Sequence, residues 1–226
     1  MNIPLSPRLQ VCAGFVAPGE RVADIGCDHG YLGIHLLQSG KASHVIAADV
    51  VPGPLSAARR NAEKYGFSDQ MEFYLSDGVQ AIPQDFDTLV CAGMGADTMI
   101  SILSAAPWLR STQYRLILQC QSKTPSLRAY LSENGWRIAE ETVVRDGRFL
   151  YTVMEVWWQP DYLKLTAAEC HFPPALLENP SKEVPAYYKW ICDGLRLSAP
   201  HQPEKAAILA ELEKLSQTES LHWLKG

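Results

Sequence analysis

The chain has no apolar run close to the roughly 18–20 residues that are needed to cross a lipid bilayer. The N-terminal segment 1–8 lacks a basic stretch followed by an apolar core, so no secretory signal is predicted and the cytoplasm is the expected compartment. The six cysteines are scattered, with no C-x-x-C pair and no zinc-like spacing. We therefore expect reduced thiols, no bound metal and no membrane association.

An excess of positive charge is also missing. The 226 residues include 20 Lys and Arg against 25 Asp and Glu, which gives a formal net charge of −5. This balance argues against a generic polyanion binder, and a basic face for RNA would have to be assembled in space. At 47% hydrophobic residues, the chain is long enough for one well-cored domain with an appendage.

The most informative segment is Val22–Leu32, with the sequence VADIGCDHGYL. An apolar, β-prone run leads into a glycine turn, which opens into a stretch with helical apolar spacing. A strand, a glycine turn and a helix in this order form a cradle for a nucleotide cofactor, because backbone N–H groups and the positive helix end face the ligand. Gly26 is expected to let the backbone approach the ligand, and Gly30 to let the helix start close to the strand.

Strands and helices alternate through the N-terminal part of the chain. After a first helix over 5–16, strands are predicted at 21–25, 43–49, 71–75, 86–92 and 114–119, with helices at 31–38, 55–65, 96–103 and 124–134. Such alternation predicts a parallel sheet covered on both faces. Segments 136–144 and 149–157, joined through an Asp-Gly turn, predict a closing β-hairpin. The predicted fold is therefore α/β, a Rossmann-like class I methyltransferase sheet, mostly parallel with an antiparallel terminal hairpin.

The character of the chain changes after residue 159. Prolines cluster, no further strand pattern follows, and segments 184–197 and 203–224 are predicted helices. We expect a main domain over 1–158 and a small C-terminal helical appendage over 159–226, in the form of an antiparallel helix pair.

Four successive strands each deliver an acid or a glycine turn to one edge of the predicted sheet, where ligands bind in open parallel sheets. The predicted cofactor-binding residues are Asp24, Gly26, Asp28, His29, Gly30, Asp49, Val50, Asp77, Gly78, Gly93, Met94 and Gly95. A single Asp at a strand end is often only a helix cap or a turn residue. Their joint occurrence at consecutive strand ends favours a cofactor site.

The acids discriminate between cofactors. A carboxylate at Asp49 can accept both hydrogen bonds of a ribose diol, and Asp77 is placed to accept from an adenine amino group. Asp24 and Asp28 would repel a pyrophosphate but suit a cationic amine and a sulfonium, and Asp28 also replaces the middle glycine of G-x-G-x-x-G. S-adenosylmethionine is therefore favoured over NAD.

Three segments carry a resemblance to a known family. The stretch DIGCDHGYL at 24–32, AGMG at 92–95 and LILQ at 116–119, preceded by LSPRL at 5–9, resemble the bacterial tRNA (adenine-N1)-methyltransferase family TrmK, which modifies adenine at position 22. The resemblance covers residues 1 to about 158 and implies a Rossmann-like domain, S-adenosylmethionine, a tRNA substrate and a helical C-terminal extension. The chain departs from the family pattern at Ala96 and at Cys120–Gln121.

Roles follow for three residues if the reaction is methylation of adenine N1. The product is cationic, so a nearby carboxylate would stabilise the developing charge, and Asp28 is the candidate for this role. Tyr31 is expected to border the target base, and Arg8 to contact RNA phosphate. A role in orienting the cofactor's amino group is the alternative for Asp28, and a surface salt bridge is the alternative for Arg8. His29 is either a structural or a catalytic group.

Two other functions fit the same fold. A small-molecule methyltransferase would show no dependence on RNA, and a non-catalytic module would bind S-adenosylmethionine or RNA without turnover. A nicotinamide dehydrogenase is disfavoured by the acids around the glycine turn. No obligate protein partner is implied.

Overall fold

A computed structural model describes residues 3–178, 180–218, 221, 223 and 224. One seven-stranded sheet forms its centre, in the order β3-β2-β1-β4-β5-β7-β6. The strands are β1 Glu20–Ile25, β2 Ala42–Asp49, β3 Met71–Leu75, β4 Thr88–Met94, β5 Arg115–Cys120, β6 Trp136–Asp146 and β7 Phe149–Trp158. The first five are parallel, whereas β7 is antiparallel to β5 and to β6. The predicted fold class is confirmed.

Helices follow most of the strands, as the alternating pattern predicts. They are α1 Pro7–Phe15, α2 Tyr31–Gln38, α3 Pro52–Tyr65, α4 Ala96–Ser104, α5 Thr124–Glu133, α6 Ala167–His171, α7 Ala175–Glu178, α8 Val184–Ser198 and α9 Pro203–Leu215. Two hydrophobic clusters of buried residues pack on the sheet, one around Leu89, Leu116 and Met154 and the other around Val22, Val45 and Ile117. Helices therefore cover both faces, because parallel strands are apolar on each side.

The C-terminal helices share a third hydrophobic cluster, which includes Phe172, Tyr188 and Leu195 and also Val143 of the hairpin. Helix α9 ends at Leu215, earlier than the predicted end at residue 224. Within the predicted helical range, positions 219, 220 and 222 lie outside the described residues. In the described part of the chain, no helix combines the length and apolarity that crossing a bilayer requires.

Candidate functional site

The centre of the sheet places two acids side by side at its carboxyl edge. Strands β1 and β2 are neighbours, and Asp24 near the end of β1 pairs in register with Ala47 while Asp49 is the last residue of β2. Strand β4 lies on the other side of β1 and is parallel to it. Strands β2 and β3 extend the sheet in one direction from β1, and β4 and β5 extend it in the opposite direction. Ligands of open parallel sheets bind at this switch point.

The turn after β1 is held in a left-handed conformation at three positions. Gly26, Asp28 and Gly30 have φ values of +74°, +51° and +72°. The N–H groups of Gly26 and Cys27 both donate to the carbonyl of Ala48, at 2.8 and 2.9 Å, which ties the turn to the end of β2. Asp is one of the few residues other than glycine that visits this conformation at modest cost, which explains Asp28 at this position.

The tight approach between α2 and the sheet occurs at Gly33 and not at Gly30. A Cβ on Gly33 would lie 2.9 Å from Cγ1 of Val45 in β2, whereas a Cβ on Gly30 would lie 2.9 Å from Cβ of Ala58 in α3. Gly30 is therefore needed for its positive φ and for packing against α3, and the predicted reason for this glycine is corrected.

Asp49 organises the carboxyl edge of the sheet, which we call the rim, through its carboxylate. One oxygen accepts the N–H of Asp28 at 3.1 Å, and the other accepts the N–H of Val51 at 2.8 Å. A carboxylate has about four lone-pair sites, so two backbone bonds leave acceptor capacity for a ligand. The same residue thus fixes the turn after β1 and keeps free acceptor capacity at the edge of the sheet.

Asp24 lies at the bottom of a cavity of about 130 Å³ that Asp28, Tyr31 and Arg8 also line. Its side chain is buried, and its Oδ2 atom has no hydrogen-bond partner. Burial, with a smaller contribution from the charge of Asp49, raises the pKa of Asp24 from 3.8 to about 7. An unpaired buried oxygen is costly, so its position in an open cavity points to a polar or cationic ligand group.

The side chains that follow on the turn are exposed. Asp28 and His29 have 69% and 52% side-chain exposure, and Oδ1 of Asp28 lies 3.6 Å from Nε2 of His29. The rings of His29 and Tyr31 stack with centroids 6.0 Å apart, and Tyr31 is itself exposed. The structure therefore brings the predicted catalytic residues Asp28 and Tyr31 together at the mouth of the cavity, available to a large substrate.

The rim continues beyond β2 with exposed apolar residues. Val50 and Leu75 are 63% and 56% exposed, and Leu75 pairs in register with Asp49. Asp77 follows β3 and is exposed, whereas Gly78 is buried, and a Cβ there would lie only 2.8 Å from Ile102. Two apolar side chains beside two acids suit a nucleoside, which has flat faces and polar edges. Leu75 was missed in the sequence analysis because an apolar strand residue normally indicates core.

Gly93 forms a bulge near the end of β4. The pairing with β5 shifts between Ala92 and Met94, and Gly93 has a φ of +85°. Its N–H donates to Oε1 of Gln119 at 3.1 Å, and the pairing extends β4 to Met94, where the sequence had predicted a turn. Gly95 lies next, and a Cβ there would be only 2.9 Å from Oγ of Ser122.

Met94 reaches back from this bulge to the first glycine turn. Its terminal methyl group would be 2.3 Å from a Cβ on Gly26, so Gly26 leaves space for Met94. The structure thus brings the end of β4 close to the turn after β1, at the edge of the sheet where the sequence predicted both segments.

Arg8 is more constrained than a free surface cation. Nη1 donates to Oε1 of Gln119 at 2.9 Å, and Nε is 3.4 Å from a carboxylate oxygen of Asp146. A guanidinium has five N–H donors, so these contacts leave donors for a phosphate. Gln119 is fully buried, and its Oε1 accepts hydrogen bonds from both Arg8 and Gly93. It was not predicted to be a site residue. In the sequence, Gln119 stands in the LILQ segment of the family resemblance, but nothing there indicated its contacts with Arg8 and Gly93.

Within the described residues, no group of three or more His, Cys, Asp or Glu side chains has a metal-binding arrangement. All six cysteines are buried as free thiols. Burial raises the pKa of Cys27, the thiol nearest the cleft, so it is held in its neutral form.

The fold and this carboxylate-lined cleft define a Rossmann-like nucleoside-cofactor domain. Residues 5–154 match the family model described as a methyltransferase domain, so the chain belongs to the methyltransferase-domain family.

Several known proteins are similar to the chain. It is 31% identical over 154 residues to the tRNA (adenine(22)-N(1))-methyltransferase of Bacillus subtilis, and the match covers 68% of this chain and 65% of the relative. The matched part thus spans just under two thirds of that relative's length.

Solved structures extend the comparison to the C-terminal helices. A candidate tRNA (m1A22) methyltransferase of Streptococcus pneumoniae in complex with S-adenosyl-L-methionine is 27% identical with a TM-score of 0.82, over 95% of this chain and 98% of that one. The m1A22 tRNA methyltransferase TrmK of B. subtilis shares the fold over 100% of both chains, with a TM-score of 0.80 at 24% identity. These comparisons confirm the resemblance drawn from the sequence.

Proposed function

We propose that this chain is an S-adenosylmethionine-dependent methyltransferase that methylates N1 of an adenine in tRNA, at position 22. The observation that carries the proposal is the unpaired, buried carboxyl oxygen of Asp24 in a cavity that Asp28 also lines, next to the Asp49 carboxylate that accepts the Asp28 N–H. Such a cleft attracts a cationic amine and sulfonium and repels a pyrophosphate. The name of the B. subtilis relative supports the choice of tRNA and of position 22.

The chain's residues fit this cofactor. Asp49 would accept from the ribose hydroxyls, Asp77 from the adenine amino group, and Asp24 would face the cationic end. Val50 and Gly78, with the unpredicted Leu75, would border the adenine ring. The glycine turns at 26–30 and 93–95, with His29 and Met94, would enclose the reactive end. The proposed cofactor site therefore comprises all the cofactor-binding residues predicted from the sequence, together with Leu75.

When bound, S-adenosylmethionine would supply a methyl group on a sulfonium. The lone pair of adenine N1 would form the new N–CH3 bond as the S–CH3 bond breaks, which leaves neutral S-adenosylhomocysteine and a cationic adenine. The protein must unpair the base, align N1 and exclude water. Asp28, exposed at the cavity mouth, would stabilise the charge on the product ring. Tyr31 would border the base, and Arg8 would use its remaining donors on RNA phosphate.

We also propose that residues 1–158 form the methyltransferase domain and residues 159–226 a helical extension. Strand β7 ends at Trp158, and the next helix begins at Ala167. The buried residues of the later helices form their own cluster against the hairpin, which supports this division.

The decisive experiment is incubation of the protein with labelled S-adenosylmethionine and unmodified tRNA transcripts, followed by nucleoside mass spectrometry. We expect 1-methyladenosine, lost when adenine 22 is replaced by another base. A transcript lacking label, or label at another atom, would refute the proposal. Label in a small molecule without RNA would indicate a small-molecule methyltransferase, and cofactor binding without any turnover would indicate a non-catalytic module.

A further inference from the structure

A second and larger cleft lies beside the candidate site. Its volume is about 440 Å³, and its walls include the loop 121–123 after β5, the first two residues of α5 and one side of α8, with Trp190 and Leu197. Cavities of this size are typical of small-molecule and nucleotide binding sites. We call it the α8 cleft. Nothing in the predicted cofactor-binding set lies in its walls.

An aromatic pair forms one wall of the α8 cleft. Trp190 is 63% exposed, and its ring stacks on that of Tyr187 with centroids 5.7 Å apart and planes at 30°. Tyr187 is buried, and its hydroxyl accepts from Arg128 at 3.3 Å. Trp190 is therefore a large exposed ring on a fixed support. Exposed aromatic rings of this kind stack on nucleobases in proteins that bind single-stranded nucleic acid.

The charges that line the α8 cleft suit a phosphate backbone. Lys123 and Lys205 belong to its walls, together with the imidazole ring of His171 and one acid, Asp193. Asp193 is already neutralised, because Lys189 and Arg196 contact its carboxylate at 2.6 and 2.9 Å. Lys123 is exposed and pairs with Asp97 at 2.6 Å, an exposed contact that is weak enough to exchange for a phosphate.

The α8 cleft borders the candidate functional site near Gly93. Gln121 lines the cleft, and its amide nitrogen would be 3.8 Å from a Cβ on Gly93. The Arg8 guanidinium, which lines the candidate site, lies 3.4 Å from the same position. Gly93 is exposed beside these two donors, so an RNA chain that crosses the edge of the sheet at Gly93 would reach the α8 cleft.

We propose that the α8 cleft binds an unpaired nucleotide next to the target adenine, with its base stacked on Trp190 and its phosphate near Lys123 or Lys205. The inference rests on the proposed RNA methylation and adds a site for the substrate's flanking nucleotide. Extracting one base from a folded RNA disturbs its neighbours, and a stacking platform would hold the displaced neighbour while the target is methylated.

The test compares Trp190→Ala, Trp190→Phe and the wild type on one tRNA transcript. Loss of base–aromatic stacking is expected to raise the RNA Kd about 5- to 150-fold in Trp190→Ala, whereas Trp190→Phe stays within about threefold of wild type. The KM for tRNA should rise with Kd, and kcat and S-adenosylmethionine affinity should stay nearly unchanged. Trp223→Ala, which removes another exposed indole outside the cleft walls, is the matched control.

Chemically synthesised tRNAs carrying one abasic site each, at the nucleotides flanking the target, identify the stacked base. One position should weaken binding to the wild type but have no further effect on Trp190→Ala. Equal RNA affinity of wild type and Trp190→Ala would overturn the inference, and so would additive effects at every abasic position. A wild-type dimer that Trp190→Ala converts to a monomer would show that this surface binds a second copy instead.

The outcomes separate the two proposals. Transfer to tRNA without any dependence on Trp190 would reject the α8 cleft and leave the proposed function standing. Trp190-dependent RNA binding by a protein that transfers no methyl group would support the cleft and reject the function.

Discussion

Arg128 and Glu141 form an ion pair in which both side chains are fully buried, at 2.6 Å between Nη2 and Oε1. Arg128 belongs to α5 and Glu141 to the edge strand β6. The same guanidinium donates to the carbonyls of Cys170 and His171, at 2.9 and 3.0 Å, and so reaches α6. Because Tyr187 of α8 also accepts from it, this one side chain links the sheet domain to the C-terminal helices.

Removal of one partner from this pair is expected to be strongly destabilising. Glu141→Ala would leave a buried guanidinium without its carboxylate, which costs about 3–5 kcal/mol. A change of 1 kcal/mol shifts the Tm of a domain of this size by about 2–4 °C, so a fall of roughly 6–20 °C is expected in a thermal unfolding scan.

Two further variants define the mechanism of this effect. Glu213→Ala breaks the half-exposed pair with Arg196 and should cost no more than about 1 kcal/mol. The double variant Arg128→Met/Glu141→Leu removes both charges and should recover much of the lost stability. Equal Tm values for Glu141→Ala and Glu213→Ala would contradict the assigned role.

The succession of strands and helices along the chain, and the acids at the strand ends, were predictable because short segments of the sequence specify them. Apolar runs and glycine turns specify strands β1 to β5, and Asp24 and Asp49 lie at the ends of such runs. Gln119 and Arg8 were not predictable as a pair, because 111 residues separate them and only the folded sheet brings them together. A charged residue on a helix normally faces water, so the burial of Arg128 depends on packing that no short segment encodes.

Asp24→Asn is expected to stabilise the unliganded protein at high pH. The folded-state pKa of Asp24 is about 7 against 3.8 as its ordinary value, so between these pH values the folded state binds more protons than the unfolded state. Stability therefore falls as pH rises across this window, and a carboxamide, which does not ionise, escapes the loss. The gain at pH 8 should be on the order of a few kcal/mol and should vanish near pH 4.

Unfolding in urea at these two pH values measures the difference. Asp49→Asn is the control on the same rim, because Asp49 accepts two backbone N–H groups and its replacement should destabilise the protein. A stability gain for Asp24→Asn that does not change with pH would exclude the titration of Asp24 as its cause. The same variant should also bind S-adenosylmethionine more weakly if Asp24 faces the cationic end.

Asp28→Ala is expected to abolish most methyl transfer while S-adenosylmethionine affinity stays within about tenfold of wild type. The N–H of residue 28, which donates to Asp49, is kept in this variant, and only the exposed carboxylate is lost. Loss of one charge-stabilising group typically lowers kcat about 10²- to 10³-fold. Calorimetry measures the affinity, and tritium transfer to tRNA measures the turnover.

The left-handed conformation of residue 28 requires a second variant. Alanine at a φ of +51° is strained by about 1–2 kcal/mol, whereas glycine is not. Asp28→Gly should therefore show the same loss of transfer without loss of Tm. Retained turnover in Asp28→Gly would rule out the catalytic role of this carboxylate.

Gln119 is expected to act as a positioning residue for the Gly93 bulge. Its Oε1 accepts from both Arg8 and Gly93, and its Nε2 donates to the carbonyl of Cys120 at 3.1 Å. Gln119→Ala removes these contacts and frees the bulge in the segment that is proposed to enclose the reactive end of the cofactor. Because small displacements near the reacting atoms can lower rates up to about 100-fold, we expect kcat to fall about 10- to 100-fold with little change in S-adenosylmethionine affinity.

Thr152→Val is the matched control for Gln119→Ala. Thr152 pairs in register with Cys120 on the neighbouring strand, and its buried hydroxyl has no hydrogen-bond partner, so its removal should leave both Tm and kcat nearly unchanged. A purely structural role of Gln119 would lower Tm and leave kcat of the folded fraction intact. The positioning role instead requires that kcat falls at temperatures where calorimetry shows Gln119→Ala to be fully folded, and that Gln119→Glu, which keeps an acceptor for Arg8 and Gly93, restores part of the rate.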